Sequence, residues 1–285
     1  MDDVLRLVGA QVAKSKSGEW IRGRGWHQEK WDAAPSPAVE GFPTHEALSR
    51  VSPANPLFLT HASGHASFVN AKALEVSGIT RSTPDPAGGE ILRDPRGNAT
   101  GLLRETASQL VKAPPLDDPA LLRLQGLAAA DEAISKGIIT LEDAGTSFAA
   151  LAVMKAMAER GELPLRMWMM VRDSVENLRA KLAEFRTVGA AGRRFTVRAI
   201  KLTIDGALGS RGAWLLAPYA DLPVSSGLNT TPIEAVARMA QLALDHGYQM
   251  AVHAIGDRAN REVLNIYENA FRKNGRNGRD LRWRI

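Results

Sequence analysis

No cysteine occurs in the 285 residues, which excludes disulfide cross-links and thiolate chemistry and leaves His, carboxylate and Lys side chains as the ligands for any metal site. Long apolar runs are missing too. No stretch reaches membrane-spanning length, and the start, Met1-Asp2-Asp3-Val4, lacks the basic and then apolar segments of a secretion signal. A cytoplasmic location without a membrane partner is the resulting expectation. Charge of one sign is not concentrated either: 36 basic and 31 acidic residues are interspersed, so the net charge of +5 bears on solubility and predicts no nucleic-acid partner. The exception is the basic run Arg272-Lys273-Asn274-Gly275-Arg276-Asn277-Gly278-Arg279. It has no aromatics interleaved for base stacking and sits between a helix pattern and a strand pattern, so it reads as a solvated loop, with phosphate binding as the alternative.

What is present is 45% hydrophobic content, enough to build one large α/β domain or two smaller ones. Val4, Leu5, Leu7, Val8 and Val12 are spaced for an amphipathic helix, and residues 1–19 are assigned to a barrel helix. Residues 19–26 predict a strand with Trp20, Arg22, Arg24 and Trp26 on one face. A proline-rich connection then holds a short helix over 44–51 with Thr44 as its N-cap. A strand over 57–61, a helix over 67–77 stopped by Gly78, and strands over 88–93 and 100–104 joined by the turn Asp94-Pro95-Arg96-Gly97-Asn98 complete a small α+β unit, residues 20–115.

From residue 116 to 285 the rhythm is regular. Helices over 119–136, 148–160, 175–188, 232–245 and 257–271 alternate with apolar strands over 138–143, 165–171, 196–204, 248–253 and 281–285. That alternation is the pattern of parallel βα units, in which functional residues gather at the carboxyl ends of strands. The strand Ala199-Ile200-Lys201-Leu202-Thr203-Ile204-Asp205 sets Ile200, Leu202 and Ile204 on one face and Lys201, Thr203 and Asp205 on the other. Two readings stay open for Lys201: a snorkelling surface lysine, or a buried one that requires pairing, metal or modification. His253 closes the next apolar strand, Met250-Ala251-Val252, where a metal ligand would be held on a rigid element.

The strings Gly23-Arg24-Gly25-Trp26, Gly64-His65 with Asn70-Ala71-Lys72-Ala73-Leu74, Gly97 to Gly101, Lys201 to Arg211 and Val252-His253-Ala254-Ile255-Gly256-Asp257 together resemble the amidohydrolase superfamily, closest to its family-3 branch of YtcJ-like proteins and N-substituted formamide deformylases. Each string is weak alone; their order along nearly the whole chain is the specific signal. The resemblance implies an α/β fold, a partial (β/α)8 TIM-type barrel with the α+β unit as an insertion. It implies a divalent metal cofactor, zinc foremost, bound by Lys201 in carboxylated form and by His253. It further implies attack of activated hydroxide on amide or related C–N bonds of a small-molecule substrate.

Departures from the family pattern shape a further expectation. Its opening His-X-His pair has no counterpart before Val4, and its sixth-strand histidine and eighth-strand acid would fall beyond Arg282-Trp283-Arg284-Ile285. The chain is therefore expected to be the middle of a longer protein, weakly active or inactive by itself, with dimerisation or edge covering to protect open strand edges. The competing function is a catalytically silent binding or scaffold protein built on the same barrel units.

The remaining candidates carry paired readings. The resemblance makes His65 substrate-facing, against a capping or packing role. Trp26 and Trp31 line a pocket or are simply buried. Asp205 serves catalysis by orienting a ligand or substrate and Arg211 binds a substrate anion, or their segments merely shape a turn. Glu142 and Asp143 support a ligand at most. His27, His45 and His61 are expected at the surface or in local turns, and His246 caps a helix C-terminus.

Overall fold

The computed structural model describes residues 1–275 and 277–285. Arg276 of the basic run lies outside the described residues. The chain forms two compact units: Met1–Pro114 with Asp205–Thr230 and Ile255–Asp257, and Pro115–Ile204 with Thr231–Ala254 and Arg258–Ile285.

The first unit contains helix α1 (Asp2–Val12), strand β1 (Ile21–Trp26), the small ribbon β2 (Ala38–Val39) and β3 (Phe42–Pro43), helix α2 (Glu46–Val51), strands β4 (Leu57–His61) and β5 (Ala66–Val69), helix α3 (Ala71–Ser77), and strands β6 (Gly89–Arg93) and β7 (Ala99–Glu105). Five strands make one sheet in the order β1-β4-β5-β7-β6, with β1 and β4 parallel and the other pairs antiparallel. Both faces are covered. Along β5 and β7 successive residues alternate between two apolar clusters: Phe68 and Leu102 pack with Val8, Ile21, Phe42 and Leu57, whereas Val69 and Leu103 pack with Leu74, Ile79 and Ile91.

Four expectations for this unit differ from the structure. Helix α1, expected in the barrel layer, packs instead into the first unit, because Val8 buries against Ile21 and Leu48 with Val4, Leu5 and Val12 beside it. Trp26 does not share a face with Arg22 and Arg24: the β1–β4 register shifts between Arg24 and Trp26, Gly25 takes φ +90, and the indole drops into the core beside Ile21. The helix read over 67–77 begins only at Ala71, since Ala66–Val69 pairs as β5. Asn70 marks the change; its Oδ1 accepts from Ala73 N–H at 3.0 Å and Leu57 N–H at 2.9 Å, and its Nδ2 donates to the Ser52 and Asn55 carbonyls. Thr44 is likewise not an N-cap. Its hydroxyl donates to the Glu46 carboxylate, and α2 starts at Glu46.

The second unit comprises α4 (Pro119–Ser135), β8 (Thr140–Thr146), α5 (Phe148–Glu159), β9 (Arg166–Val171), α6 (Val175–Phe185), β10 (Thr187–Gly189), the short turn α7 (Ala190–Arg193), β11 (Phe195–Thr203), α8 (Ile233–His246), β12 (Gln249–His253) and α9 (Asp257–Lys273). Helix starts follow local chemistry: Asp118, Ser147 and Ser174 each accept a backbone N–H in the first turn of α4, α5 and α6. Strands β8, β9, β11 and β12 are parallel and neighbours in chain order, with β10 antiparallel on β11. The inner strands are buried and apolar, through Met167, Met169 and Val171 on β9, Val197, Ala199 and Ile200 on β11, and Met250 and Val252 on β12. The strand expected over 281–285 is reduced to one parallel bridge between Ala251 and Arg284. Among the described residues the sheet does not close into a barrel; the fold shown is mixed α/β. Nor is any helix among them long and apolar enough to cross a membrane.

Candidate active site

Lys201 and His253 come together in the second unit. Parallel pairing sets Lys201 opposite Ala251 and Thr203 opposite His253, so the lysine and the histidine lie on one sheet face, two residues apart along the strands, at their carboxyl ends. Lys201 is half-buried, between the two readings. Desolvation, aided by the Arg172 charge, pulls its amine down to about 8, and Nζ donates to the carbonyl of its own neighbour Leu202 at 2.8 Å. Glu142 and Asp143 are turned to local tasks: Glu142 pairs with Arg284 at 2.7 Å, and Asp143 accepts from Gly145 N–H and the Thr146 hydroxyl. Among the described residues no group of three or more His, Asp or Glu side chains is arranged to hold a metal.

The other candidates lie in the first unit. Asp205 is fully buried; Oδ2 accepts from Trp214 N–H at 2.9 Å and Gly256 N–H at 2.7 Å, and Oδ1 from Ile255 N–H at 3.0 Å. Three charge-assisted bonds to backbone amides make this carboxylate the knot that joins two loops. Arg211, at φ +58, donates to Asp221 at 2.7 Å, so a substrate anion would have to displace that carboxylate. Trp26 donates its indole N–H to the Leu59 carbonyl at 2.9 Å and, with Trp31, lines a cleft of about 500 Å3 whose walls include neither His65 nor Arg211.

His65 has a partner that the sequence reading missed. Its Nδ1 lies 2.8 Å from Oε2 of Glu105, at the end of β7. The Glu105 side chain is 4% exposed, and burial holds its carboxyl above the usual range, against the lowering pull of His65 and with the Asp205 charge adding to the rise. An acid at the last position of β7, one residue beyond Leu102-Leu103-Arg104, is a strand-end signal of the kind that drew attention to His253. His61, expected at the surface, is fully buried. Nδ1 meets the Ser63 hydroxyl at 2.8 Å, Nε2 meets Gln28 Oε1 at 3.2 Å, and the rings of Trp26 and His27 pack against it. His246 sits in the last turn of α8 as expected.

The profile of the amidohydrolase family matches residues 1–285, end to end. The chain belongs to the amidohydrolase family. YtcJ of Bacillus subtilis is 31% identical over 289 residues, covering 98% of this chain and 52% of that protein. The N-substituted formamide deformylase of Arthrobacter pascens is 38% identical over 120 residues, 42% of this chain and 21% of the deformylase. Among solved structures, an uncharacterized metal-dependent hydrolase from Pyrococcus horikoshii superposes with a TM-score of 0.63 over 93% of this chain and 50% of its own; at 24% identity this shows the fold. The amidohydrolase chain thus spans about half the length of the relatives it matches across its whole extent.

Proposed function

We propose that this amidohydrolase-family chain carries part of the active site of a metal-dependent hydrolase that opens amide or related C–N bonds in a small molecule. The observation that carries the reading is the placement of a half-buried lysine with a lowered pKa and a histidine on one face at the carboxyl ends of adjacent parallel strands. At pH 8 an amine titrating near 8 is about half neutral, roughly a hundredfold more than an ordinary lysine. The neutral amine is the form that adds carbon dioxide to give a carbamate, an anionic oxygen ligand. Lys201 in that form and the His253 imidazole fit as two members of a zinc ligand set, and two are fewer than a catalytic zinc requires from protein. A divalent ion so held supplies Lewis acidity and lowers the pKa of water.

The chain's own groups do the rest. Arg172 adds a positive charge that keeps the Lys201 amine depressed. Asp205 fixes the loops that follow β11 and β12 through three backbone amides. The deformylase similarity supports an N-substituted amide as the substrate class. With two candidate ligands, the 285-residue chain alone is expected to turn over weakly or not at all.

The test is metal uptake and carbamate formation. Zinc bound at equilibrium with excess zinc and 13C-labelled bicarbonate in the buffer, together with a carbamate 13C resonance, is expected in the wild type and lost in Lys201→Gln; the bound zinc is lost in His253→Gln. A folded wild type that takes up no zinc and forms no carbamate overturns the proposal and leaves the silent scaffold as the surviving reading.

A further inference from the structure

Away from Lys201 and His253, one buried acid has an oxygen with no use in the fold. Oε1 of Glu105 is buried and has no hydrogen-bond partner among the described residues, while Oε2 is held at 2.8 Å by His65. Its niche is shaped for it. A Cβ on Gly206 would lie 1.9 Å from Oε1 and one on Gly212 2.4 Å away, and these glycines are tied together by a Gly206 N–H bond to the Gly212 carbonyl at 2.9 Å. The backbone is specialised as well: Glu105 adopts φ 48 and ψ −123, a conformation rare for a residue with a side chain, and its N–H donates to the His65 carbonyl at 3.0 Å. Backbone and carboxylate therefore clamp the same histidine. Arg104, the neighbouring cation, does not pair with Glu105; its guanidinium is taken by Glu90 at 2.6 Å and Glu40 at 2.7 Å.

A buried acid with one unmet oxygen and a strained backbone contributes little to stability. What it supplies is orientation, since a carboxylate at one imidazole nitrogen fixes the ring and decides which nitrogen bears the proton. We infer that Glu105 is the positioning residue of His65, holding the ring and keeping its proton on Nδ1, so that Nε2 is the ring's acceptor nitrogen. An acceptor nitrogen set in this way matches the N–H donor of an amide, the chemistry of the hydrolase reading on which this use of the ring rests.

The test needs neither metal nor substrate. Two-bond 1H–15N spectra of the histidine-labelled chain at pH 8, with His65 assigned through His65→Asn, report the tautomer directly. Wild-type His65 is expected in the Nδ1–H form. Glu105→Met, which fills the niche but removes the acceptor, is expected to shift His65 to the Nε2–H form that free imidazole prefers, with the amide shifts of β5 retained. Glu105→Gln keeps an acceptor oxygen and is expected to preserve the Nδ1–H form. A purely structural Glu105 would lower stability without moving the proton. An Nε2–H form in the wild type overturns the inference whether or not any variant folds, and so does a folded Glu105→Met with the wild-type tautomer. The hydrolase reading fails by a different measurement, zinc and carbamate at Lys201, so the two outcomes remain distinguishable.

Discussion

Acidification should strike the first unit at His61 before it titrates most carboxylates. Burial, and then the nearby His27 and His65, push this imidazole from 6.5 down to about 4. In the unfolded chain it takes a proton near 6.5, so between these values the unfolded state binds one proton more than the folded state. Stability is then fully present above pH 6.5, falls as the pH drops towards 4, and loses nothing further from this group below that. A gap of about 2.5 pH units at about 1.4 kcal/mol each sets a ceiling of roughly 3.5 kcal/mol. Urea unfolding at half-unit pH intervals, followed by a probe in the first unit, measures the slope. His61→Gln, whatever its absolute stability, should flatten the curve between pH 6.5 and 4 relative to wild type, and the difference between the curves removes the carboxylate contributions common to both. His61 resonances of labelled protein should titrate near 4. A native titration near 6.5, or equal slopes in wild type and His61→Gln, would refute the reasoning.

Asn70→Ala removes a helix cap and leaves the Leu57 N–H and two carbonyls buried without their partner; a loss of about 2–4 kcal/mol is expected by chemical denaturation, and a loss under about 0.5 kcal/mol contradicts the capping account. Gly227→Ala places a methyl 1.9 Å from the Ala213 carbonyl at φ +86, so a cost of about 3 kcal/mol is expected, and a melting temperature equal to wild type would show that the loop yields freely. Lys201 should be the most reactive lysine towards an acylating reagent at pH 8 after correction for access, with a midpoint near 8 that rises when Arg172 is changed to Gln; a midpoint near 10.5 counts against its burial.

Much of the architecture is written in local chemistry. The βα alternation after residue 115 follows apolar strands, serine and aspartate caps and terminal glycines, and the structure places α4, α5, β9, β11, α8 and β12 close to where those signals lie. The failures have physical causes. Residues 66–69 continue the apolar spacing of α3 and become a strand only because β4 and β7 flank them, a long-range fact absent from the local pattern. Trp26 changes face through a single bulge. The placement of Lys201 and His253 on one face of neighbouring strand ends is legible because strand-end position and the two-residue period are local properties. Glu105 is not, since its importance depends on His65, 40 residues earlier in the chain, and on two glycines about a hundred residues later.

The knot at Asp205 has a consequence for how the molecule can be divided. The polypeptide leaves β11, contributes Asp205–Thr230 to the first unit, returns for α8 and β12, and goes back once more for Ile255–Asp257 before α9. Each unit is therefore stitched from three separate stretches, and no single cut yields one of them whole. A fragment ending near Pro114 lacks the Trp214, Ile255 and Gly256 amides together with the carboxylate that gathers them. Moving either unit into another protein as a continuous cassette would break the chain within the loops at the ends of the very strands that carry Lys201 and His253, so the two units have to be engineered together.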